Sequence, residues 1–299
     1  MTNNHRSGAS YPACRQQQAR WHLIALFRAI GFMDWARYGC GHLKQNAPKM
    51  LKFAANLTLL FNELPFLDRF AAASAAGFDA VEILFPYDLA AKHIRRALLE
   101  NGQTLVLINA PPPNYTTGTP GYAAVPGGEA RFEHDIKRSL RYASELRAGL
   151  IHVMAGYCKG PEAHATFVRN LRWAADLAPQ QKYTIEPLNA GDQPGYFLDD
   201  YELAIEVLDL VDRPNVGLQY DSYHAQVIHG DAVTVWRNHG ARAVHVQLGA
   251  APGRTEPTPG LIDFPALFAA IDTSGYDGWV SAEYNPTTAR TEDSLHWMP

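Results

Sequence analysis

The sequence contains little cysteine and no long apolar run. Its three cysteines, Cys14, Cys40 and Cys158, are spaced like neither a zinc motif nor a disulfide framework. No apolar stretch reaches the roughly 18 residues that a membrane helix needs. We therefore expect a protein of the reducing cytoplasm that is held together by its apolar core and has no membrane partner.

Positive charge is also scarce over most of the chain. The whole chain has 26 basic and 30 acidic residues, of which residues 1–49 contain seven basic residues and one acid, Asp34. Residues 50–299 therefore contain 19 basic and 29 acidic residues, a net charge of -10. Nucleic-acid-binding surfaces are basic, so we expect no nucleic-acid partner. The sequence leaves the oligomeric state open, a homo-oligomer included.

Residues 1–49 differ in composition from the rest and end before a second methionine, Met50. We predict that they form an N-terminal extension, disordered or read from an upstream start. Two alternatives are a transit peptide, which is basic and poor in acids, and a short accessory helix around residues 21–35. Residues 50–299 are predicted to form a single domain.

After Met50, short apolar runs alternate with longer amphipathic segments. Strands separated by helices form parallel sheets, either open and doubly wound or closed into a barrel. Eight units favour the (β/α)8 TIM barrel, and the glycine-rich turn of a dinucleotide-binding sheet is missing after Asn56. The predicted strands are 52–57, 80–84, 104–109, 150–154, 183–187, 216–220, 243–248 and 279–283. The predicted helices are 65–76, 89–100, 129–147, 162–177, 200–211 and 264–273.

Two local patterns predict details of these helices. Asp199 or Asp200 is expected to cap the helix 200–211, because an aspartate accepts hydrogen bonds from the free backbone N–H groups of a first turn. Spacings of three, four and seven residues predict which face of the first helix is buried. That face consists of Leu67, Phe70, Ala71 and Ser74.

Polar residues stand at the carboxyl ends of the last four predicted strands, where barrel enzymes have their active sites. An acid at one strand end is commonly a helix cap or a salt-bridge partner, but such residues at four successive strand ends indicate a metal site. Carboxylate and amide oxygens suit Mg²⁺ or Mn²⁺, whereas zinc prefers histidine and cysteine. The four residues are Glu186, Asp221, Gln247 and Glu283.

The two glutamates of this set suggest isomerisation by proton transfer. A carbonyl group moves to the neighbouring carbon when a proton leaves one carbon and returns at the other, with a cis-enediolate between. One carboxylate removes the proton and another delivers it, while a metal stabilises the developing charge. Glu186 and Glu283 fit these catalytic roles in an order that the sequence does not define. Asp221 and Gln247 are then ligands only.

Motifs spread over about 235 residues carry a family resemblance. They are KFAANL at 52–57, VEILFPY at 81–87, IEPLN at 185–189, QYDSYH at 219–224, HVQ at 245–247, RTEP at 254–257, GYDGWV at 275–280 and EY at 283–284. From Met50 onward the chain resembles the hydroxypyruvate isomerases, which belong to the xylose isomerase-like barrels. The resemblance implies interconversion of hydroxypyruvate and 2-hydroxy-3-oxopropanoate (tartronate semialdehyde). It also implies a metal on the four residues named above, with Glu186 and Glu283 as proton donor and acceptor.

The resemblance further implies that His224 and Arg254 contact the substrate. Arginine offers a bidentate fork to the carboxylate of a small hydroxy-oxo acid, and His224 could donate a hydrogen bond to a carbonyl oxygen. A capping histidine and a solvated loop arginine remain the alternatives. Glu82 is expected to hold the hydrogen-bond network of the pocket, and Asn109 to lie on its substrate side.

The sequence leaves the substrate open. Asn109-Ala110 and the segment 152–156 resemble the 2-oxotetronate isomerases, which use the same proton chemistry on four carbons, and the loops after Asn109 and Arg254 depart from the family's usual sequence. A ketose 3-epimerase is disfavoured because those enzymes usually have histidine where Gln247 stands. An endonuclease IV-like repair enzyme would need histidine-rich zinc sites and a basic surface. A non-catalytic sugar-acid-binding barrel would not need all four ligands.

Overall fold

The eight predicted strands form a closed parallel barrel. The structure, a computed structural model, describes residues 51–110 and 118–298. Each strand pairs with the next in chain order, and the last pairs with the first. The predicted TIM barrel is therefore confirmed. The strands are β1 Lys52–Asn56, β2 Ala80–Ile83, β3 Thr104–Asn109, β4 Leu150–His152, β5 Lys182–Ile185, β6 Val216–Asp221, β7 Ala243–Leu248 and β8 Trp279–Ala282.

Helices connect consecutive strands and confirm the six predicted helical segments. Two further helices lie between β6 and β7, and none of the described helices is long and apolar enough to span a membrane. The predictions for residues 1–49 lie outside the described residues. The helices are α1 Arg69–Ala75, α2 Ala91–Glu100, α3 Glu129–Leu146, α4 Pro161–Leu177, α5 Tyr201–Val211, α6 Ser222–His229, α7 Ala232–His239 and α8 Phe264–Thr273.

Several strands end one or two residues earlier than predicted. β5 ends at Ile185, because Pro187 has no N–H group to donate to a neighbouring strand. β8 ends at Ala282. Glu186 and Glu283 therefore stand one residue beyond the last paired residue of their strands, at the rim of the barrel.

The prediction for the buried face of α1 was wrong. Of its four residues only Phe70 is buried, whereas Leu67 and Ala71 are exposed. The buried face passes through Phe70 and Ala73 instead, and the ring of Phe66 packs edge-to-face on that of Phe70 at 5.8 Å. A short 3₁₀ turn precedes the helix and changes its phase. Two packed aromatic rings also bury more apolar area than a leucine and an alanine do.

The barrel interior changes from apolar to polar along its axis. Residues two positions apart on a strand share a face. Buried polar groups need hydrogen-bond partners or a ligand, so the polar end has to be explained by a network or a bound molecule. On β1, β2 and β4 the apolar residues Ala54, Ala80 and Leu150 precede the buried polar residues Asn56, Glu82 and His152 by two positions.

Asp200, rather than Asp199, caps α5. Its carboxylate accepts hydrogen bonds from the N–H groups of Glu202 at 2.8 Å and Leu203 at 3.2 Å. Asp199 instead pairs with Lys159 on the surface.

We predict that Asp200→Ala lowers the free energy of unfolding by about 1 kcal/mol. The matched control Asp199→Ala should cost less than about 0.5 kcal/mol. Urea unfolding measures both, and equal losses would contradict the assignment of the cap.

Candidate active site

Glu186, Asp221 and His224 form a buried cluster that could hold a metal ion. One ligand atom of each residue lies within 4.8 Å of the others. Glu186 directly follows β5, Asp221 ends β6, and His224 lies in the first turn of α6. Asp221 also caps α6, since its Oδ1 accepts a hydrogen bond from the N–H group of Tyr223 at 2.8 Å. The cluster stands at the carboxyl end of the barrel, where this fold has its active sites.

Arg254 links Asp221 to the predicted fourth ligand, Glu283. Its Nη2 donates to Asp221 Oδ2 at 2.9 Å and to Glu283 Oε1 at 2.7 Å. Arg254 lies in the turn after β7, which is closed by an antiparallel bridge between Ala250 and Thr255. Its backbone φ is +50°, a left-handed conformation that is strained for a residue other than glycine. The turn therefore holds the guanidinium group between two acids at the rim.

Gln247 joins the same site through Gln219. Gln219 Nε2 donates to Glu186 Oε2 and to Gln247 Oε1, each at 2.8 Å, while its Oε1 accepts from Thr184 Oγ1 at 2.8 Å. Gln247 Nε2 in turn donates to Glu82 Oε1 at 2.9 Å. These bonds define the orientation of both amides, and the carbonyl oxygen of Gln247 faces the side of Glu186.

Glu82 is the centre of a second group of hydrogen bonds. Its fully buried carboxylate accepts from Asn56 Nδ2 at 2.8 Å and from His245 Nε2 at 2.6 Å, besides Gln247. Burial alone would raise the pKa of Glu82, but the charge and hydrogen bond of His245 hold that pKa below its usual value. Both carboxylate oxygens have protein partners, so Glu82 holds neighbouring side chains in place.

The other acids leave negative charge without a protein partner. Glu186 Oε1 and Glu283 Oε2 are buried and accept no hydrogen bond from the described residues. Burial raises the pKa of both glutamates well above its usual value, and the neighbouring carboxylates raise it further against the effect of Arg254. Burial also raises the pKa of Asp221. Unpaired, buried carboxylate oxygens fit a hard divalent cation, so these residues are suited to a metal.

His224 presents an N–H group to this cluster. Its Nδ1 accepts a hydrogen bond from the backbone N–H of Asn189 at 3.0 Å. Burial lowers the pKa of His224 well below its usual value, so the ring is neutral and carries its one proton on Nε2. Nε2 lies 3.8 Å from Asp221 Oδ2 and 4.0 Å from Glu186 Oε1. A metal ligand needs a lone pair at this atom, so His224 is better suited to donate a hydrogen bond to a substrate oxygen.

Asn109 and His152 line the other side of the barrel mouth. They are paired in register on β3 and β4, which places both side chains on the same face of the sheet. His152 Nδ1 lies 3.5 Å from Glu186 Oε2, which shows that this face is the interior. Burial lowers the pKa of His152 to about 3, so the ring is neutral. The loop at 111–117, beyond Asn109, lies outside the described residues.

Sequence reasoning missed a polar layer just below the predicted ligands. Each residue of this layer lies two positions before one of the predicted ligands. The two-residue period of a strand therefore places it on the same interior face as that ligand. That alternation is visible in the sequence and would have identified them. They are Thr184, Gln219, His245 and Ser281, which precede Glu186, Asp221, Gln247 and Glu283.

A separate groove of about 920 Å³ lies at the opposite, amino end of the barrel. It is lined by residues such as Ala243 and Gly278, at the beginnings of β7 and β8. None of the predicted site residues lines this groove. The predicted acids Glu186, Asp221 and Glu283 are instead at the carboxyl end.

The chain resembles known proteins over most of its length. Residues 70–299 match the family described as xylose isomerase-like TIM barrel. The chain is 43% identical to the 2-oxo-tetronate isomerase of Cupriavidus necator and 36% identical to the hydroxypyruvate isomerase of Escherichia coli. Each alignment covers 83% of this chain and 98% of the relative.

A solved structure from Brucella melitensis, described as AP endonuclease, family 2, resembles this chain with a TM-score of 0.80 and 42% identity. That match covers 83% of this chain and 98% of the other. The resemblance predicted from the motifs is confirmed. The chain belongs to the xylose isomerase-like TIM barrel family, on a branch whose named curated relatives are isomerases.

Proposed function

We propose that this protein moves a carbonyl group between the second and third carbons of a small hydroxy-oxo acid. The reaction interconverts hydroxypyruvate and 2-hydroxy-3-oxopropanoate, or the corresponding four-carbon acids. The observation that carries the proposal is the pair of free carboxylate oxygens, Glu186 Oε1 and Glu283 Oε2, buried at one barrel mouth. Relatives at 43% and 36% identity are named as isomerases of the four-carbon and the three-carbon acid.

Glu186 and Glu283 are the proposed acid and base. Burial raises the pKa of each carboxyl group, which favours a glutamate that holds a proton and passes it on, as proton transfer at carbon requires. One glutamate takes the proton from the carbon that bears the hydroxyl group. The other returns a proton to the neighbouring carbon, and the hydroxyl proton passes to the former carbonyl oxygen, so that the intermediate becomes the isomeric hydroxy-carbonyl acid.

Two further side chains orient the substrate. The Nε2–H of His224 donates to the oxygen that becomes negative in the enediolate. The positive charge of Arg254 attracts the carboxylate of the substrate. The buried Nε of Arg254 has no hydrogen-bond partner among the described residues. A guanidinium group binds a carboxylate through two parallel hydrogen bonds, which sets the direction of a small anion.

The chain would hold a divalent cation, Mg²⁺ or Mn²⁺, with Glu186, Asp221, Gln247 and Glu283. When bound, such an ion supplies positive charge that stabilises the negative oxygens of the enediolate. Gln219 and Glu82 support this set, because their hydrogen bonds keep the carbonyl oxygen of Gln247 directed at the site. The set contains only oxygen donors, which favours these two ions over zinc.

The site is less suited to DNA repair, the activity that the description of the Brucella relative names. DNA presents one phosphate charge after another, and proteins that bind it neutralise several of them. Residues 50–299 have a net charge of -10, and the site contains four buried acids and one arginine. One arginine is enough for the single carboxylate of a small acid.

Replacement of either proposed proton-transfer residue should stop turnover without unfolding the barrel. Glu186→Gln and Glu283→Gln each keep the shape of the side chain but cannot accept a proton. We expect kcat to fall by about 100-fold or more, with the melting temperature equal to or above that of the wild type. Steady-state assays on both acids measure this loss. The control Glu206→Gln, on the exposed surface of α5, should keep wild-type rates; full activity in either site variant would contradict its role.

Isomerisation in D₂O distinguishes proton transfer from a direct hydride shift. A glutamate that has taken up the substrate proton exchanges it with solvent while the enediolate is present. Product formed in D₂O should therefore carry deuterium at the carbon that received the proton, which NMR detects. Product free of solvent deuterium would favour a hydride shift and would remove the acid–base roles of Glu186 and Glu283.

Activity is expected to depend on a divalent metal. Dialysis against a chelator should abolish turnover, and added Mg²⁺ or Mn²⁺ should restore it. The same ions should raise the melting temperature, because they bind the folded cluster and not the unfolded chain. Full activity in protein whose metal content is far below one ion per chain would show that the acids work without a metal.

A further inference from the structure

His152 is buried without any hydrogen bond. Only 1% of its surface is exposed, and neither ring nitrogen has a partner among the described residues. An unsatisfied polar group in a protein interior lowers stability, and an apolar side chain at this position would avoid that loss. None of the proposed reaction steps uses the His152 ring. Its position therefore points to a ligand group that completes its hydrogen bonds.

A third unpaired atom belongs to Asn109, on the neighbouring strand. Asn109 Oδ1 is buried and has no partner in the described part of the chain. Asn109 and His152 are register partners on β3 and β4, and His152 Nδ1 is 3.5 Å from Glu186 Oε2. The three unpaired atoms thus adjoin a proton-transfer carboxylate. In the closed barrel, β3 and β4 lie across from β7 and β8, which carry Arg254 and Glu283 near their carboxyl ends.

We propose that His152 and Asn109 form a hydroxyl-binding subsite that recognises a hydroxymethyl group attached to the reacting carbons. The proposal rests on the isomerase function above and deepens it, because it names the part of the substrate that this wall contacts. A three-carbon hydroxy-oxo acid ends at the reacting carbon and has no further hydroxyl group. A four-carbon acid carries one more hydroxymethyl group there, so the subsite selects the four-carbon acid.

The chemistry of the unpaired atoms fits a hydroxyl group. A neutral imidazole offers one N–H donor and one lone pair, and the Asn109 carbonyl offers an acceptor. A hydroxyl group both donates and accepts, so it can accept from the ring nitrogen of His152 that carries the proton and donate to the Asn109 amide oxygen. A carboxylate at this place would be repelled by Glu186, and a methyl group would leave all three atoms unpaired. Sites that hydrogen-bond a substrate hydroxyl discriminate strongly against analogues that lack it.

The test compares substrates of two lengths in His152→Leu. The readout is the ratio of kcat/KM for 2-oxotetronate to kcat/KM for hydroxypyruvate, which cancels losses common to both acids. The ratio should fall by about tenfold, the value of one lost hydrogen bond. The melting temperature should be no lower than in the wild type, because no protein group loses a partner. The control His134→Leu removes a histidine from the exposed face of α3 and should keep the wild-type ratio.

Binding without turnover separates this proposal from the proposed function. Calorimetry would measure the affinity for 2,3,4-trihydroxybutanoate and for glycerate, which resemble the two substrates but lack the carbonyl group. If neither oxo acid is turned over but the preference for the four-carbon analogue depends on His152, the isomerase function fails and the subsite stands. An unchanged ratio in His152→Leu would overturn the subsite, even if kcat/KM falls equally for both acids. A lower metal content in this variant would overturn it as well.

Discussion

Four acidic side chains buried at one end of the barrel are the constraint on which the rest of the site depends. Glu82, Glu186, Asp221 and Glu283 are each less than 5% exposed, and among the described residues Arg254 is the one arginine or lysine hydrogen-bonded to any of them. Charges removed from water need partners, so the surrounding polar residues are arranged to supply them. Glu82 is satisfied by neutral donors and His245, and Asp221 by Arg254 and a helix N-terminus. The remaining two glutamates are satisfied at one oxygen only.

One departure from ordinary backbone geometry lies beside the incompletely paired acids. Arg254 has a left-handed backbone, and a Cβ atom at Gly249 would come within 3.1 Å of both Arg254 Cγ and the Glu283 carbonyl oxygen. With any other residue at position 249, these neighbours would have to move by a few tenths of an ångström. Strain and unpaired polar atoms both lower stability, and such features persist in proteins mainly where a site uses them.

The sequence was sufficient to predict the barrel and the residues at its rim, for a simple physical reason. Buried parallel strands are short apolar runs, and an acid directly after such a run has to lie at the carboxyl end of the barrel. Orientation within the site could not be predicted. The proton on His224 Nε2 follows from one backbone hydrogen bond with Asn189, 35 residues earlier in the chain. The amide of Gln247 is oriented by Gln219 and Glu82, on two other strands.

The two halves of the barrel mouth differ in charge. Strands β5 to β8 and the turn after β7 carry Arg254 and the acids other than Glu82, so in the proposed reaction this half would determine where charge develops and where protons move. Strands β3 and β4 carry Asn109 and His152, whose hydrogen-bonding atoms are neutral. A change on this neutral side alters which uncharged group fits while the carboxylates stay where they are. The same proton chemistry can therefore serve acids of different length, which is consistent with relatives named for both a three-carbon and a four-carbon acid.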